Sequence, residues 1–294
     1  MTALAYRCFL TLLLSLLALS PALAQTSAYT QGLLWKIEGR AREPSYVFGT
    51  IHISDPRVTT LPAPVKSTFD AARAFAVEVT LEPATMLQAA SRMVYTDGRD
   101  LRTVVGAPLF EKIAASSGTL GLPPEMLKAF KPWAIGLFLS TPEGDPAAVL
   151  DFVLQRNAAE QKKTLHSLES VDEQLDVFDK LSERDQVTFL RAALEARDRL
   201  PALIQRMTAA YLARDLAALT RISEEERGDA EARRMTGALM QRLLYDRNVR
   251  MAQRAEALFA SGSTFVAVGA LHLYGDRGVL AELARRGHRV SRVY

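Results

Sequence analysis

Two of the four histidines in the sequence stand three positions after a glycine, a spacing that could build a metal site. Gly49 precedes His52, and Gly269 precedes His272. Each of these Gly-x-x-His motifs directly follows an apolar run, so we expect each histidine at or just past the carboxyl end of a strand, where open α/β sheets build their sites. Glycine lets the backbone turn there or approach another chain, and neutral imidazole is the commonest metal ligand. The two motifs therefore predict two ligands of one metal ion.

Glu78 is the third candidate ligand. It lies in the apolar run 75–79, and a buried carboxylate costs free energy unless it is paired or bound to a metal. Two imidazoles and one carboxylate leave coordination positions for water and substrate, as catalytic sites require. We predict that His52, His272 and Glu78 form one divalent-metal site, in which Glu78 is either a ligand or the base that takes a proton from water. The alternatives are a packing or capping role for each histidine and, for Glu78, an ion pair with a neighbouring arginine.

Arg247 and Asn248 are weaker candidates for a catalytic role. Asn248 could orient a ligand or a water molecule, and Arg247 could bind a substrate carboxylate or stabilise an oxyanion. The alternative for both, and for Glu169, is a helix-terminal hydrogen bond or a surface ion pair. We expect the remaining histidines, His166 and His288, to be structural or exposed.

Several familiar kinds of site are missing from the sequence. It contains no His-Glu-x-x-His, no Gly-x-Ser-x-Gly, no P-loop and no Gly-x-Gly-x-x-Gly, which excludes an ordinary zincin, a nucleophile elbow and the common nucleotide-binding loops. The net charge is +3, and opposite charges alternate along the helical stretches. We therefore expect no nucleic-acid partner.

The first 24 residues have the features of a secretory signal peptide. Arg7 provides the positive start, an apolar run covers residues 9–19, and a small-x-small sequence occupies residues 22–24. The only cysteine, Cys8, lies in this segment, so the mature chain can form no disulfide and no cysteine-ligated metal site. We expect a periplasmic or secreted protein with no stable membrane span after signal cleavage.

The elements that must position the three ligands come from both ends of the chain. Apolar runs and turn residues predict strands over 33–37, 46–51, 75–79, 264–268 and 289–294, with helices over 62–72 and 278–286. Residues 85 to about 260 are mostly helical in pattern, and we expect this middle to form a groove wall or a lid over the sheet edge.

The fold class that follows is α/β. Neither end has enough strands to be stable alone, so we predict a mixed central sheet built from both chain ends, with a large helical insertion in the middle. The strand–helix–strand pattern after residue 264 suggests a βαβ unit. Residues 25–294 would form a single domain.

The three candidate segments together resemble the TraB/PrgY/GumN family, which belongs with the Tiki proteases and is more distantly related to ChaN-like and erythromycin-esterase-like proteins. The resemblance covers nearly the whole mature chain. Further stretches similar to the family are Lys131-Pro132-Trp133, Leu168-Glu169-Ser170, Glu173-Gln174-Leu175 and Arg247-Asn248.

The resemblance implies a metal-dependent hydrolase, a peptidase acting on peptide or protein substrates. His52, His272 and Glu78 match the active-site motifs of the Tiki proteases. Nitrogen and oxygen ligands suit manganese, cobalt or zinc, and the resemblance favours manganese or cobalt. The alternative is a non-enzymatic protein that holds a metal or haem, or that binds a partner in the cell envelope.

Overall fold

A six-stranded mixed sheet forms the centre of the computed structural model, which describes residues 28–294 except 40, 81, 117, 119–120, 143–147, 226–236 and 238. The strand order is β4-β3-β5-β2-β1-β6. The strands are β1 (Leu34–Glu38), β2 (Ser45–Thr50), β3 (Ala74–Val77), β4 (Thr164–Ser167), β5 (Thr264–Gly269) and β6 (Arg289–Arg292). The proposed signal segment lies outside the described residues.

Fourteen α-helices surround this sheet within the described residues. They are α1 (Pro56–Thr59), α2 (Ala63–Ala71), α3 (Pro83–Arg92), α4 (Leu101–Val105), α5 (Ala107–Ala115), α6 (Pro124–Leu127), α7 (Pro132–Ser140), α8 (Leu150–Glu160), α9 (Val171–Asp179), α10 (Glu183–Ala196), α11 (Leu200–Leu212), α12 (Leu216–Glu225), α13 (Asp246–Phe259) and α14 (Val279–Arg285). A π-helical turn, Gln241–Tyr245, leads directly into α13.

The predicted sheet from both chain ends is confirmed. β2 and β3 run parallel to β5, which lies between them, so residues separated by almost 200 positions share one ladder. β1 pairs antiparallel with β2 as a hairpin and with β6 on its other side. β5 and β6 run in the same direction, as in a βαβ unit, but β2 and β1 lie between them.

One strand, β4, was not predicted. It lies in the middle of the chain, which the sequence pattern indicated to be mostly helical. It has only four residues, and its side chains are half-buried or exposed. Neither the apolar run of a buried strand nor a long alternation marks it in the sequence. It extends the parallel part of the sheet by pairing with β3, which brings the start of α9 to the same edge.

The sheet is covered on both faces. Every residue of β5 from Thr264 to Val268 is buried, and because alternate side chains of a strand point to opposite faces, both faces must be packed. On one face, the rings of Phe75 and Phe265 stack with centroids 6.4 Å apart. Phe69 of α2 meets Phe265 edge-on at 5.3 Å. These rings form the centre of the main core.

The parallel strands end almost level at one edge. Thr50 of β2 is paired with Gly269 of β5, while Val77 of β3 is paired with Ala267 of β5 and with Ser167 of β4. Residues that follow these four strands are therefore close in space although they are distant in sequence. This is the edge at which the sequence predicted the site.

The helical insertion has its own apolar clusters and meets the sheet at this edge, where the backbone N–H of Glu169 donates to the carbonyl oxygen of Glu78 at 2.8 Å. α7 and α10 pack closely, since a side chain at Gly136 would lie 2.6 Å from the Phe189 ring. α9 begins with a capping box between Ser170 and Glu173, and Arg254 of α13 forms an ion pair with Glu173.

In the parts of the chain that the structure describes, none of the helices has the length and apolar character needed to cross a membrane.

The central ring cluster sets the first prediction. Phe265→Ala should lower the free energy of unfolding by about 3–5 kcal/mol, because it removes a fully buried ring and leaves a cavity. Urea denaturation followed by circular dichroism measures the change. Leu87→Ala, at a side chain that is 73% exposed, should change the stability by less than about 0.5 kcal/mol. Equal losses in both variants would contradict this account of the core.

Candidate metal centre

Glu78 lies immediately after β3 and is buried at the sheet edge. Its Oε2 accepts hydrogen bonds from Arg247 Nη2 at 2.6 Å and from Gln174 Nε2 at 3.2 Å. Its Oε1 accepts one from the backbone N–H of Gly269 at 2.8 Å. An ionised carboxylate oxygen offers about two lone pairs, so Oε1 keeps one acceptor site that the protein does not use.

His272 lies in the 3₁₀ turn Ala270–His272, which follows β5 directly. Its Nδ1 is 2.6 Å from Asn248 Oδ1. The amide nitrogen of Asn248 donates to the carbonyl oxygen of Arg277 at 2.8 Å, which turns the amide oxygen towards the ring. Nδ1 therefore carries the proton, and Nε2 carries the free lone pair of a neutral imidazole.

His272 Nε2 and Glu78 Oε1 face each other at 3.7 Å. Burial lowers the pKa of His272 to about 4 against the attraction of Glu78, so the ring is neutral near pH 7. Burial alone would raise the pKa of Glu78, but the charges of a protonated His272 and of Arg247 lower it to about 2. Near pH 7, two electron-pair donors thus meet without a proton between them, an arrangement that a cation or a water molecule would relieve.

His52 lies two residues past β2, and its side chain is 68% exposed. Its Nδ1 is 2.9 Å from Asp151 Oδ2, and Asp151 Oδ1 accepts from the Thr50 hydroxyl at 2.7 Å. The negative charge of Asp151 raises the pKa of His52 above its usual value, although water screens part of this attraction at an exposed ring. With one proton held at Nδ1, Nε2 is the second site, and it is also protonated below the raised pKa of about 9. A metal ion that bound at Nε2 near pH 7 would therefore displace a proton.

His52, Glu78 and Asp151 line one cavity of about 430 Å³. The described residues contain no group of three His, Asp or Glu side chains that are already arranged as metal ligands. The structure brings Glu78 and His272 together and places His52 on the wall of the adjoining cavity. There His52 is hydrogen-bonded to Asp151.

The residues present fit a metal ion in chemical type. Two ligand atoms that each lie about 2.1 Å from one metal are separated by about 3.5 Å at a tetrahedral angle, close to the separation of His272 Nε2 and Glu78 Oε1. In each histidine a side-chain oxygen, from Asn248 or Asp151, fixes Nδ1 and leaves Nε2 as the donor. Such outer partners are the usual supports of metal-binding histidines.

Arg247 is buried between two carboxylates and does not lie on the surface. Its Nε donates to Glu169 Oε2 at 2.8 Å, and its Nη2 reaches both Glu169 and Glu78. Arg250 binds the other oxygen of Glu169 at 3.0 Å. The alternative interpretation, an ion pair at the surface, is therefore wrong in its location: the ion pairs are buried, and Arg247 binds Glu78.

The two motif glycines differ in how closely other atoms approach them. A side chain at Gly49 would lie 2.8 Å from Leu273 and 3.1 Å from the backbone of Ala270, so glycine lets the turn that carries His272 pack against β2. Gly269 supplies the N–H that binds Glu78, and a side chain there would lie 3.5 Å from Glu78 Oε1. Close approach explains the first glycine, whereas a β-carbon at the second would make only ordinary van der Waals contacts.

Asp151 and Gln174 are parts of the site that the sequence analysis did not assign. Gln174 lies within a stretch noted only for its family resemblance. Asp151 does carry a signal, because it lies in the apolar run 149–154. Like Glu78, Asp151 is a carboxylate inside an apolar run, which would be unfavourable if it were buried without a partner.

Comparison with known proteins places these residues in a family context. The sequence model of the TraB/PrgY/gumN family matches residues 33–292. The chain is 26% identical over 313 residues to Metalloprotease TIKI2 of Danio rerio, an alignment that covers 88% of this chain and 60% of that protein. The chain thus spans about three fifths of the length of this curated relative. No solved structure matches the chain significantly.

The link between Asp151 and His52 gives a prediction for the metal-free protein. Asp151→Asn should lower the pKa of His52 towards its ordinary value, because the mutation removes the negative charge beside Nδ1. Proton NMR of the ring signals against pH measures this pKa, with His52→Ala to assign the signal. Asp198→Asn, in the exposed 3₁₀ turn between α10 and α11, should leave the pKa unchanged. An unaltered His52 pKa in Asp151→Asn would show that the ion pair does not form in solution.

Proposed function

Because this chain belongs to the TraB/PrgY/gumN family, we propose that it is a metal-dependent hydrolase, and specifically a peptidase that acts on peptide or protein substrates. The observation that carries the proposal is the pair formed by His272 Nε2 and Glu78 Oε1. Both atoms are electron-pair donors, both belong to buried and hydrogen-bonded side chains, and both lie at the sheet edge. The similarity to a metalloprotease supports the same class of reaction.

His272, Glu78 and His52 would hold the ion, and their nitrogen and oxygen donors suit manganese, cobalt or zinc. A bound divalent ion would polarise the scissile carbonyl. It would also lower the pKa of a water molecule, so that hydroxide would be available to attack the carbonyl near neutral pH. In the reaction, water adds its oxygen to the carbonyl carbon, the C–N bond breaks, and the departing amine takes up a proton. The products are one carboxylic acid and one amine.

Glu78 is the residue best placed to handle a proton in this reaction. Arg247 and Gln174 bind Oε2, and the N–H of Gly269 binds Oε1, so the carboxylate is fixed in direction and remains ionised. Its unused acceptor site on Oε1 lies on the side of His272. A carboxylate held in this way can act as a ligand or as the base that takes a proton from water.

Arg247 and Asn248 act in this proposal through the residues that they position. Arg247 keeps Glu78 charged in a buried place, where an unpaired carboxylate would be protonated. Asn248 fixes the tautomer of His272 and so presents Nε2. Both are positioning residues, and their removal should disturb the site without removing a ligand atom.

The shared site predicts the metal content of the protein. The purified protein should bind about one equivalent of manganese, cobalt or zinc, and His52→Ala/His272→Ala should weaken this binding by more than about 100-fold, since loss of ligands exceeds loss of outer partners. Elemental analysis after dialysis gives the content, and circular dichroism confirms folding. The matched variant His166→Ala/His288→Ala removes two histidines outside the site and should keep the metal. Equal binding in the two double variants would exclude this metal site.

Peptide hydrolysis should follow the metal. The wild type and His166→Ala/His288→Ala should cleave a peptide library after metal loading, and a chelator or His52→Ala/His272→Ala should abolish the cleavage. Mass spectrometry of the products measures both the rate and the cleaved bond. Metal binding without any metal-dependent cleavage would favour a metal-binding protein over a peptidase.

We also propose that the protein acts outside the cytoplasm. The support is the signal-like sequence of residues 1–24, with Arg7, the apolar run 9–19 and a small-x-small site. Expression of the full chain in a bacterial host should yield an extracytoplasmic protein whose amino terminus is Gln25, which fractionation and amino-terminal sequencing would reveal. A replacement of Leu13 by Arg should block export, because it interrupts the apolar run. An uncleaved protein in the cytoplasmic fraction would contradict the proposal.

A further inference from the structure

The cavity that holds Glu78 and His52 continues as an apolar groove between α3 and α9. Its volume is about 430 Å³, which lies in the range of pockets that enclose small ligands. Most of its lining side chains are apolar. Those that form the two facing walls include Met86, Ala89, Ala90, Val171 and Leu175.

The wall formed by α3 leaves its apolar side uncovered. Within α3, which is described in full, no side chain is buried, and Met86 is 60% exposed. A helix of a folded protein normally buries its apolar stripe against another element. Here Met86 and Ala90 face the cavity, while Ala89 also lines it and is partly buried against the apolar cluster that contains Val171 and Leu175. Part of the space that packed side chains would normally fill is therefore open.

Ion pairs and a hydrogen bond hold α3 against α9, so the groove between them is part of the folded structure. Arg92, in the last turn of α3, forms ion pairs with Asp172, Asp176 and Asp179 of α9 at 2.6–3.0 Å. Gln88 also donates to Asp172 at 2.8 Å. These contacts fix the spacing of the two walls while leaving the space between them open.

Charge at the groove disfavours a charged occupant. Among the described residues that line it, the ionisable ones are Glu78, Asp151 and His52, at the end beside the sheet, whereas the walls on α3 and α9 contribute no ionisable lining residue. A lysine or glutamate side chain that lay between these two walls would lose its water without gaining a charged partner there. An apolar side chain would gain the free energy of burial, about 25 cal/mol for each Å² removed from water.

We propose that this groove is the subsite that binds an apolar side chain of the substrate, and that it makes the enzyme select peptides with a large apolar residue beside the scissile bond. The inference rests on the proposed function, because the same cavity wall carries the groove and the catalytic groups. A side chain seated between α3 and α9 brings its own main chain to Glu78 and His52. The groove therefore selects the substrate residue that contributes its carbonyl or its amide group to the scissile bond.

Binding without turnover tests the groove separately from the chemistry. Saturation-transfer NMR on the metal-free protein uses N-acetyl-phenylalanine amide as the probe and N-acetyl-lysine amide as the comparison. The wild type should bind the first probe at least tenfold more tightly than the second. Ala89→Phe fills the groove and should weaken binding of the apolar probe by about tenfold or more. The matched control, Ala84→Phe, adds the same ring to the same helix outside the groove and should bind as the wild type does.

Cleavage specificity gives the second readout. A metal-loaded wild-type protein should cleave library peptides with phenylalanine, leucine or methionine beside the broken bond, at rates roughly tenfold or more above peptides with lysine or glutamate there. Ala89→Phe should shift this preference towards glycine and alanine, while Ala84→Phe should retain the wild-type preference. Circular dichroism shows whether both variants are folded.

The two readouts separate the subsite from the reaction. Selective binding that Ala89→Phe abolishes supports the groove even if no peptide is cleaved, in which case only the peptidase proposal fails. Cleavage without any preference for apolar residues, or binding that is equal in wild type and Ala89→Phe, would overturn the subsite and leave the peptidase proposal standing. If Ala89→Phe does not fold, Ala90→Phe on the same wall replaces it.

Discussion

A carboxylate that stays ionised at the edge of an apolar sheet is the constraint around which this structure is arranged. Glu78 follows a buried strand, and the nearby Arg247 supplies a permanent positive charge to it. Arg247 is itself buried, and Glu169 balances it. Each of these three side chains would be unfavourable alone in such surroundings. Together they require the end of β3, the end of β4 and the start of α13 to meet at one place.

This network is poorly explained as a source of stability. Desolvation of buried ions offsets much of their attraction, and apolar side chains of similar size often stabilise a fold as well or better. What the network does supply is an ionised carboxylate with one free acceptor site, aimed at the unprotonated nitrogen of His272. Two electron-pair donors therefore face each other and repel. The surrounding hydrogen bonds must hold them in this position, and a bound cation would remove the repulsion. Function is the better physical reason for it.

The sequence predicted the parts of the site that depend on strand ends. His52, Glu78 and His272 were identifiable because glycine spacing or an apolar context marks each of them, and because parallel strands bring their carboxyl ends to one edge. β4 could not be predicted, since a four-residue strand with half-exposed side chains has no distinctive pattern. Of the partners of the site, Arg247 was a weaker candidate in the sequence and Asp151 lies in an apolar run, whereas Gln174 was not singled out. All three come from helices, and the residue that each contacts depends on how the insertion docks, which local spacing does not show.

The division between sheet and insertion also separates two kinds of task. The sheet edge holds the candidate ligands, and its positions are fixed by ladder register and by close contacts such as the one that Gly49 permits. The insertion supplies both walls of the apolar groove, on α3 and α9, and these walls are tied to each other by side-chain ion pairs. The packed side chains of these walls belong to a separate apolar cluster and not to the main core around the sheet, so they can change in size without disturbing the strand ladder. A fold built in this way can keep one reaction at the sheet edge while the helical insertion determines which side chain is presented to it.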